Sequence, residues 1–507
     1  MAYFRTPIVV LLGATGAGKS KLALELAQRF KGEIISADAM QMYHGLNIAT
    51  NKVSEEELKK VQHHMIDMLD PLSQMVRVND FRNTCLPIIE GLLAKNVIPF
   101  ICGGTNYYIE SLIWNILVDD AQSDSDSEID HNNLPYQKDD DLSIPSEKMY
   151  SELLEVDPER ASTLHFKERR KIYRSLQIYY RHGGKKHSDF IKDQRSSLGG
   201  SHIGGPLRYK NVCFLWVDTE VSILDKRCDS RVDKMIQRGL LDELEDFHRR
   251  YNLKRSTSSD YTIGIFQSIG FKEFHSYLNL EEDLKTKPMG KKMYEDGITA
   301  LKIATHRYAR RQIRWIRQRL LNPLNMSHLP VYRVDSSDPS KWSENVHEPS
   351  VEVIQSFIDG KTPDKIPVPL LEKSNYDPED LKKVFVCETC EMQLKGIIQY
   401  RTHMSSKKHK SRLKKVFQFD ETTPFFSLEI MRDSKSFKES DRLQLIKTLK
   451  RMSKGELTSL RIFHFLKGNE AMDMDIKLKE SQADKHIQEL NKYNILAKML
   501  PIPTNKS

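Results

Sequence analysis

The sequence predicts an α/β fold: a parallel-sheet core with a P-loop and a helical insertion domain, then a small C2H2 zinc finger and a helical or disordered C-terminal tail. Three observations carry this expectation. Apolar strand-like runs alternate with helical patterns over residues 7–118, and such interleaving makes parallel βαβ units with helices covering the sheet. GATGAGKS fills residues 13–20, between a strand-like run and a helical one. Cys387, Cys390, His403 and His409 obey C-x2-C-x12-H-x5-H, the ligand spacing of a tetrahedral zinc site.

At 507 residues the chain is too long for one compact core, so two to four domains are expected. Hydrophobic content of 39% and a mean hydropathy of -0.54 leave room for disordered segments. The net charge of +8 favours an anionic partner, nucleic acid or phosphate ester. Six cysteines with one close pair exclude a disulfide framework and suit a reducing compartment. No apolar run approaches the ~20 residues that cross a bilayer, so no membrane is expected. The glycine-rich loop begins at Gly13, so no cleavable targeting segment is expected upstream of the fold. The expectation is a cytoplasmic protein, with a mitochondrial or nuclear fraction left open, and a monomer.

Taken in order, PIVVLL reads as the first strand, Lys19 to about Phe30 as a helix, and EIISAD as a strand ending at Asp38. A helix follows around Asp80 to Leu93, then the strand-like run VIPFICGG, whose Gly103 and Gly104 allow a tight turn close to a ligand. These residues, 1–120, form the first part of the core. The acidic, serine-rich stretch 121–148, within a helical insertion spanning 121–210, reads as disordered. Residues 149–320 are mostly helical, with VCFLWVD returning as a sheet strand in the second part of the core, 211–320. Several prolines over 321–380 suggest a linker, followed by the finger at 381–415. The tail, 416–507, shows two amphipathic patterns, near 439–466 and 473–499.

Each motif points to a chemistry. In the loop, Gly13, Gly16 and Gly18 let the backbone, with Ala14, Thr15 and Ala17, turn its N–H groups toward phosphate oxygens. Lys19 adds a cation and Ser20 can ligand Mg2+. A carboxylate partner could come from Asp38 or Asp218, each ending an apolar run. Strand C-termini of an open parallel sheet share one edge, so Asp38 is expected beside the loop. There it could ligand metal or take a proton from a nucleophile.

The helix 301–320 sets Arg307, Arg310, Arg311 and Arg314 opposite Ala309, Ile313, Ile316 and Leu320, with no Asp or Glu among its residues. A row without acidic partners points to phosphates rather than to a solvated face. Arg169, Arg170 and Arg174 make a second, shorter cluster. After His403 the finger carries Lys407, Lys408, Lys410, Arg412, Lys414 and Lys415 without an acid. It resembles fingers that grip double-stranded RNA by shape and phosphates; a protein–protein role is the alternative.

GATGAGKS, ISADAMQMY, HHMID, ICGGTNYYIES, DSRVDKM, FQSIGFKEF and RYARRQIRWIR occur in the order seen in tRNA dimethylallyltransferases, also called tRNA isopentenyltransferases. The resemblance covers about residues 7–320, and the finger is similar to that of the eukaryotic branch. It implies transfer of a dimethylallyl group from dimethylallyl diphosphate to N6 of adenosine 37 of tRNA, giving N6-isopentenyladenosine and diphosphate. The loop Gly13–Ser20 would then hold the diphosphate, with Arg231 as a further ligand, Thr15 on the donor or its leaving oxygen, and Mg2+ at Ser20. Asp38 matches the general base. Asp38, Ala39, Met40 and Gln41 match the tetrad that meets the anticodon loop, and Ala39 lacks the hydroxyl usual there. Thr105 matches a contact to the target nucleotide, and the arginine clusters would hold anticodon-stem phosphates. The competing readings are a P-loop small-molecule kinase with an RNA finger and a non-catalytic RNA binder.

Overall fold

The computed structural model describes residues 6–73, 77–116, 136, 144–200, 204–255, 257–322, 329–371, 377, 380, 383–390, 392–418, 460–465 and 471–476. Two compact units emerge: Met1–Asp139 with Ser175–Ser374, and Asp140–Arg174 with Asn375–Ser507.

The first unit holds a six-stranded sheet of order β3-β2-β4-β1-β5-β6. Its strands are β1 Ile8–Gly13, β2 Glu33–Ser36, β3 His63–His64, β4 Pro99–Cys102, β5 Val212–Asp218 and β6 Val331–Asp335. Every pair is parallel. β1 and β5 are buried along their whole length. That is why IVVLLG and VCFLWVD read as unbroken apolar runs rather than alternating ones. Helices Lys19–Phe30, Val78–Ala94 and Val221–Gln237 turn Leu22 and Leu26, Phe81 and Ile89, and Leu224 and Val232 into two cores.

Two features of this unit lie outside the sequence reading. β2 is not the neighbour of β1, because β4 lies between them. The loop after β2 nevertheless comes back against the loop after β4: a Cβ on Gly103 would meet the Ala37 carbonyl at 2.2 Å. The second departure is the expected linker, 321–380. It contains the edge strand β6 and a helix, Glu348–Asp359, that buries Val353 and Ile354. β6 alternates, Val331, Tyr332 and Val334 inside with Arg333 and Asp335 outside, so an edge strand resembled loop. Pro339 and Pro349 lie in the first turns of helices instead of marking an extended chain.

In the second unit, helices Ser146–Val156 and Pro158–Ser162 follow the acidic stretch, most of which lies outside the described residues. The finger is a hairpin of β7 Val384–Cys387 and β8 Met392–Lys395, followed by helices Ile397–Ser405 and Lys407–Gln418. In the tail, the expected helices near 439–466 and 473–499 give way at their described residues to an antiparallel pair, β9 Leu460–Phe465 with β10 Ala471–Ile476. AMDMDI alternates with period two, the signal of a strand, which a longer helical window averages away. The rest of both segments lies outside the described residues.

Candidate active site

The phosphate loop is shaped by close packing. Gly13 has φ +150°, and a Cβ there would lie 2.5 Å from the Val217 carbonyl oxygen; Gly18 has φ +101° and faces the Trp342 ring. Inside the loop Lys19 is buried and its Nζ donates to the Ala14 carbonyl at 2.9 Å. Arg231, from the helix Val221–Gln237, donates to Thr15 Oγ1 at 2.7 Å, while its Nε is buried without a partner. Burial draws the pKa of Lys19 and of Arg231 below their ordinary values, with Asp38 opposing in both cases and the Arg231 charge adding to the fall at Lys19. Neither cation makes an ion pair among the described residues. Two desolvated cations aimed at one loop require an anion to offset their cost.

With them stands Asp38, half-buried just past β2. It lines a hollow of about 270 Å³ together with Thr15, Gly16, Gly18, Lys19, Ser20, Gln41, Gly104, Arg231, Tyr308 and Gln312. Burial raises the Asp38 pKa, opposed chiefly by the Met40 N–H, which donates to Oδ1 at 3.0 Å, and by the Lys19 charge. Gly104 keeps this carboxylate open to the hollow, since a Cβ there would come within 3.0 Å of Oδ2. Thr105 Oγ1 accepts the Ala39 N–H at 3.1 Å. Gln41 is engaged on both sides: it accepts from the Ser36 hydroxyl at 2.8 Å and donates to the Thr50 and Asn51 carbonyls at 3.2 Å. The other candidate carboxylate, Asp218, is buried outside this hollow and paired with Arg333 at 2.8 Å.

The arginine helix, Pro288–Trp315, contributes to the same hollow in a way the sequence reading missed. Gln312 is buried; its Oε1 accepts the Thr15 N–H at 2.7 Å and its Nε2 donates to the Gly104 carbonyl at 3.0 Å. Tyr308 donates its hydroxyl to the same carbonyl at 2.8 Å. A glutamine beside the apolar stripe Ala309–Ile313 was the available signal, since a buried amide needs fixed partners. The stripe itself is buried at Ala309, Ile313, Ile316 and Leu320.

Outward, Arg307, Arg310, Arg311 and Arg314 are exposed. The row is not wholly without acids, as a single-helix reading supposed. Arg310 pairs with Asp225, His306 with Asp229 at 2.8 Å and Lys302 with Asp233 at 2.6 Å, all from the helix Val221–Gln237. An absence of acids within one helix says nothing of those its neighbour presents. Arg169, Arg170 and Arg174 lie in the other unit, on the helix Arg169–Arg181, where Arg169 donates to the Ile144 carbonyl.

In the finger, Cys387, Cys390, His403 and His409 bring their ligand atoms within 4.8 Å of one another. His409 Nδ1 lies 3.5 Å and 3.4 Å from the two sulfurs and 3.1 Å from His403 Nε2. Four donors facing one point at these separations fit a tetrahedral ion with bonds of about 2.0–2.3 Å. Two buried thiols and a buried imidazole beside a fourth donor leave no open ligand position, which makes the site a closed, structural one for zinc.

The chain matches the family model of IPP transferase over residues 41–319 and that of the zinc-finger double-stranded RNA-binding family over residues 384–410. It is 45% identical to the tRNA dimethylallyltransferase of Mus musculus, over 82% of this chain and 87% of the relative. With the enzyme of the same name from Schizosaccharomyces pombe the identity is 32%, over 81% and 95%. Among solved structures it is similar to a eukaryotic dimethylallyltransferase acting on tRNA, with a TM-score of 0.67 and 28% identity, over 82% of this chain and 98% of that one. On the sheet, the loop and these likenesses together, the chain belongs to the tRNA dimethylallyltransferase (IPP transferase) family.

Proposed function

We propose that this protein transfers the dimethylallyl group of dimethylallyl diphosphate to N6 of adenosine 37, beside the tRNA anticodon, releasing diphosphate. The observation that carries this reading is the hollow itself, which Asp38, Lys19 and Arg231 line together. The donor's diphosphate lies against the amides of Gly13–Ser20, with Lys19 and Arg231 as counter-charges and Thr15, already oriented by Arg231, on the leaving oxygen. The exposed Ser20 hydroxyl at the lip fits Mg2+, a hard ion that binds through one or two protein oxygens plus substrate phosphate and water. When bound, the ion would neutralise charge on the departing diphosphate.

As the allylic C–O bond breaks, its electron pair leaves on the diphosphate and the N6 lone pair forms the new C–N bond. Asp38 accepts the N6 proton. The exocyclic amine is a poor nucleophile because its lone pair is delocalised into the ring, so a carboxylate drawing on its hydrogen matters to the rate. The adenine must leave its stack to reach the hollow, where Ala39, Met40, Gln41 and Thr105 border Asp38. Because Gln41 is already spent on the loop carbonyls, its part is to hold that border. Arg307, Arg310, Arg311 and Arg314, with Arg169, Arg170 and Arg174, take anticodon-stem phosphates. The finger's basic helix takes phosphates of a duplex segment. No helix among the described residues is long and apolar enough to cross a membrane.

The deciding experiment mixes the purified protein with dimethylallyl diphosphate, Mg2+ and unmodified tRNA and analyses the nucleosides by mass spectrometry. N6-isopentenyladenosine at position 37 is the expected product. Consumption of ATP without prenyl transfer would instead favour the kinase. Two further outcomes follow from the geometry. Cys387→Ser, or zinc chelation, raises the Kd for tRNA about tenfold while turnover at saturating tRNA stays within about twofold; a collapse of saturated turnover would sink that assignment. Gln312→Leu strands the Thr15 N–H and the Gly104 carbonyl. It is expected to lower kcat by about 10²-fold, as small displacements of positioned groups do, with little change in tRNA affinity by filter binding.

A further inference from the structure

After β6 the chain returns to the phosphate loop. Ser336 is buried and its hydroxyl donates to the Ala17 carbonyl at 2.8 Å. Six residues on, the Trp342 ring lies so close to Gly18 that a Cβ there would meet it at 2.9 Å. The indole Nε1 donates to Glu25 Oε2 at 2.7 Å. The Lys21 ammonium sits 4.3 Å from the centroid of the same ring and 3.9 Å from Glu25 Oε1, and Lys21 lines the hollow that holds Asp38.

We propose that Lys21 is a further diphosphate-binding residue and that Trp342 is the residue that positions it; this rests on the reading of the hollow as a diphosphate site. A helix N-terminus carries partial positive charge and disfavours cations. The first turn of the helix Lys19–Phe30 nonetheless carries both Lys19 and Lys21 and no acid, with Arg231 aimed at the same loop and its Nε unpartnered. Asp38 offsets that accumulation in part, and a multiply charged anion would offset the rest. Lys21 is only loosely engaged: its ion pair with Glu25 is long, at 3.9 Å, and the face of an aromatic ring attracts an ammonium without neutralising it. Trp342 acts twice here. Its ring supports the ammonium at the lip, and its N–H engages Glu25, which would otherwise draw Lys21 down the helix and away from the loop.

The test titrates inorganic diphosphate with Mg2+, and separately dimethylallyl diphosphate, into the full-length protein by calorimetry, alongside steady-state kinetics. Lys21→Met is expected to raise Kd for both, and KM for the donor, by about tenfold, the scale of one charge-assisted contact, with a far smaller effect on kcat. Trp342→Leu gives a similar loss, Trp342→Phe a smaller one because a ring face remains. The double variant Lys21→Met/Trp342→Leu binds no more weakly than Lys21→Met alone, since both changes remove one interaction. Melting curves accompany Trp342→Leu, which also unpacks Gly18; Lys21 is mostly exposed, so its variant tests the assignment in a folded protein. Wild-type affinity for inorganic diphosphate in Lys21→Met, or multiplying losses in the double variant, would overturn the inference alone. Failure of the wild type to bind either diphosphate would overturn the reading of the hollow as well.

Discussion

Asp38→Asn lowers turnover by about 10³-fold or more, within the range that general bases supply, while tRNA affinity changes by less than about twofold. The amide is nearly isosteric, and its oxygen can still accept the Met40 N–H that holds Oδ1; what it loses is the capacity to take a proton. The pH profile separates this from a steric effect. Asp38 must be ionised to act, and burial raises its pKa above the ordinary carboxylate range, so activity rises with pH through a limb displaced upward. Lys19 must be protonated, and burial lowers its pKa, so activity falls again through a limb below the usual lysine range. Asp38→Asn abolishes the acid limb and leaves the alkaline one. Stability follows the opposite sign. With its folded pKa raised, wild-type Asp38 favours folding at low pH and loses that contribution as pH rises through the folded value. The asparagine variant is therefore expected to melt no earlier than wild type at neutral pH. A variant with normal turnover in a single-turnover prenylation assay would remove Asp38 from the reaction.

Arg231→Ala is the second large effect, expected at about 10²–10³-fold in kcat, the scale of losing one preorganised stabiliser of developing charge. Its guanidinium reaches Thr15 Oγ1 at 2.7 Å and its Nε is without a partner, so it has capacity left for the leaving group. Arg231→Lys retains charge but not the planar fork that can hold the threonine hydroxyl and a phosphate oxygen together, and recovers only part of the rate. The kinetic split is the informative measurement. If Arg231→Ala raised the donor KM tenfold with kcat untouched, Arg231 would bind ground state and transition state alike, and its catalytic role would be wrong. Because the substitution relieves a buried charge, thermal stability should not fall with activity.

The residues whose placement was legible have local causes. GATGAGKS carries its own backbone requirement: φ at Gly13, Gly16 and Gly18 is positive, and the helix starts at Lys19. The C-x2-C-x12-H-x5-H spacing comes with its hairpin and helix, and the four ligand atoms meet. Asp38 beside the loop followed from a general property of parallel sheets, even though β4 intervenes between its strand and β1. The remaining placements depend on contacts between segments, which no single segment carries. Arg310 looked unpaired until the neighbouring helix presented Asp225. The stretch 321–380 looked like a linker because an edge strand alternates and prolines can begin helices. In the tail, a period-two run was read through a helical window.

By itself, the sequence determined the glycine-rich loop between strand and helix, the meeting of the two cysteines and two histidines, the parallel α/β class and the place of Asp38 beside the loop, because each depends on spacing within a few residues or on a rule common to all such sheets. The tertiary structure decided strand order, the partners of Arg310, and the contacts of Gln312 and Trp342. Gln312 meets Thr15 across 297 positions of chain, and Trp342 meets Glu25 across 317. Such contacts leave no periodicity to read: they form only after apolar burial has folded the chain back on itself, and geometry, not composition, then selects which polar groups face one another.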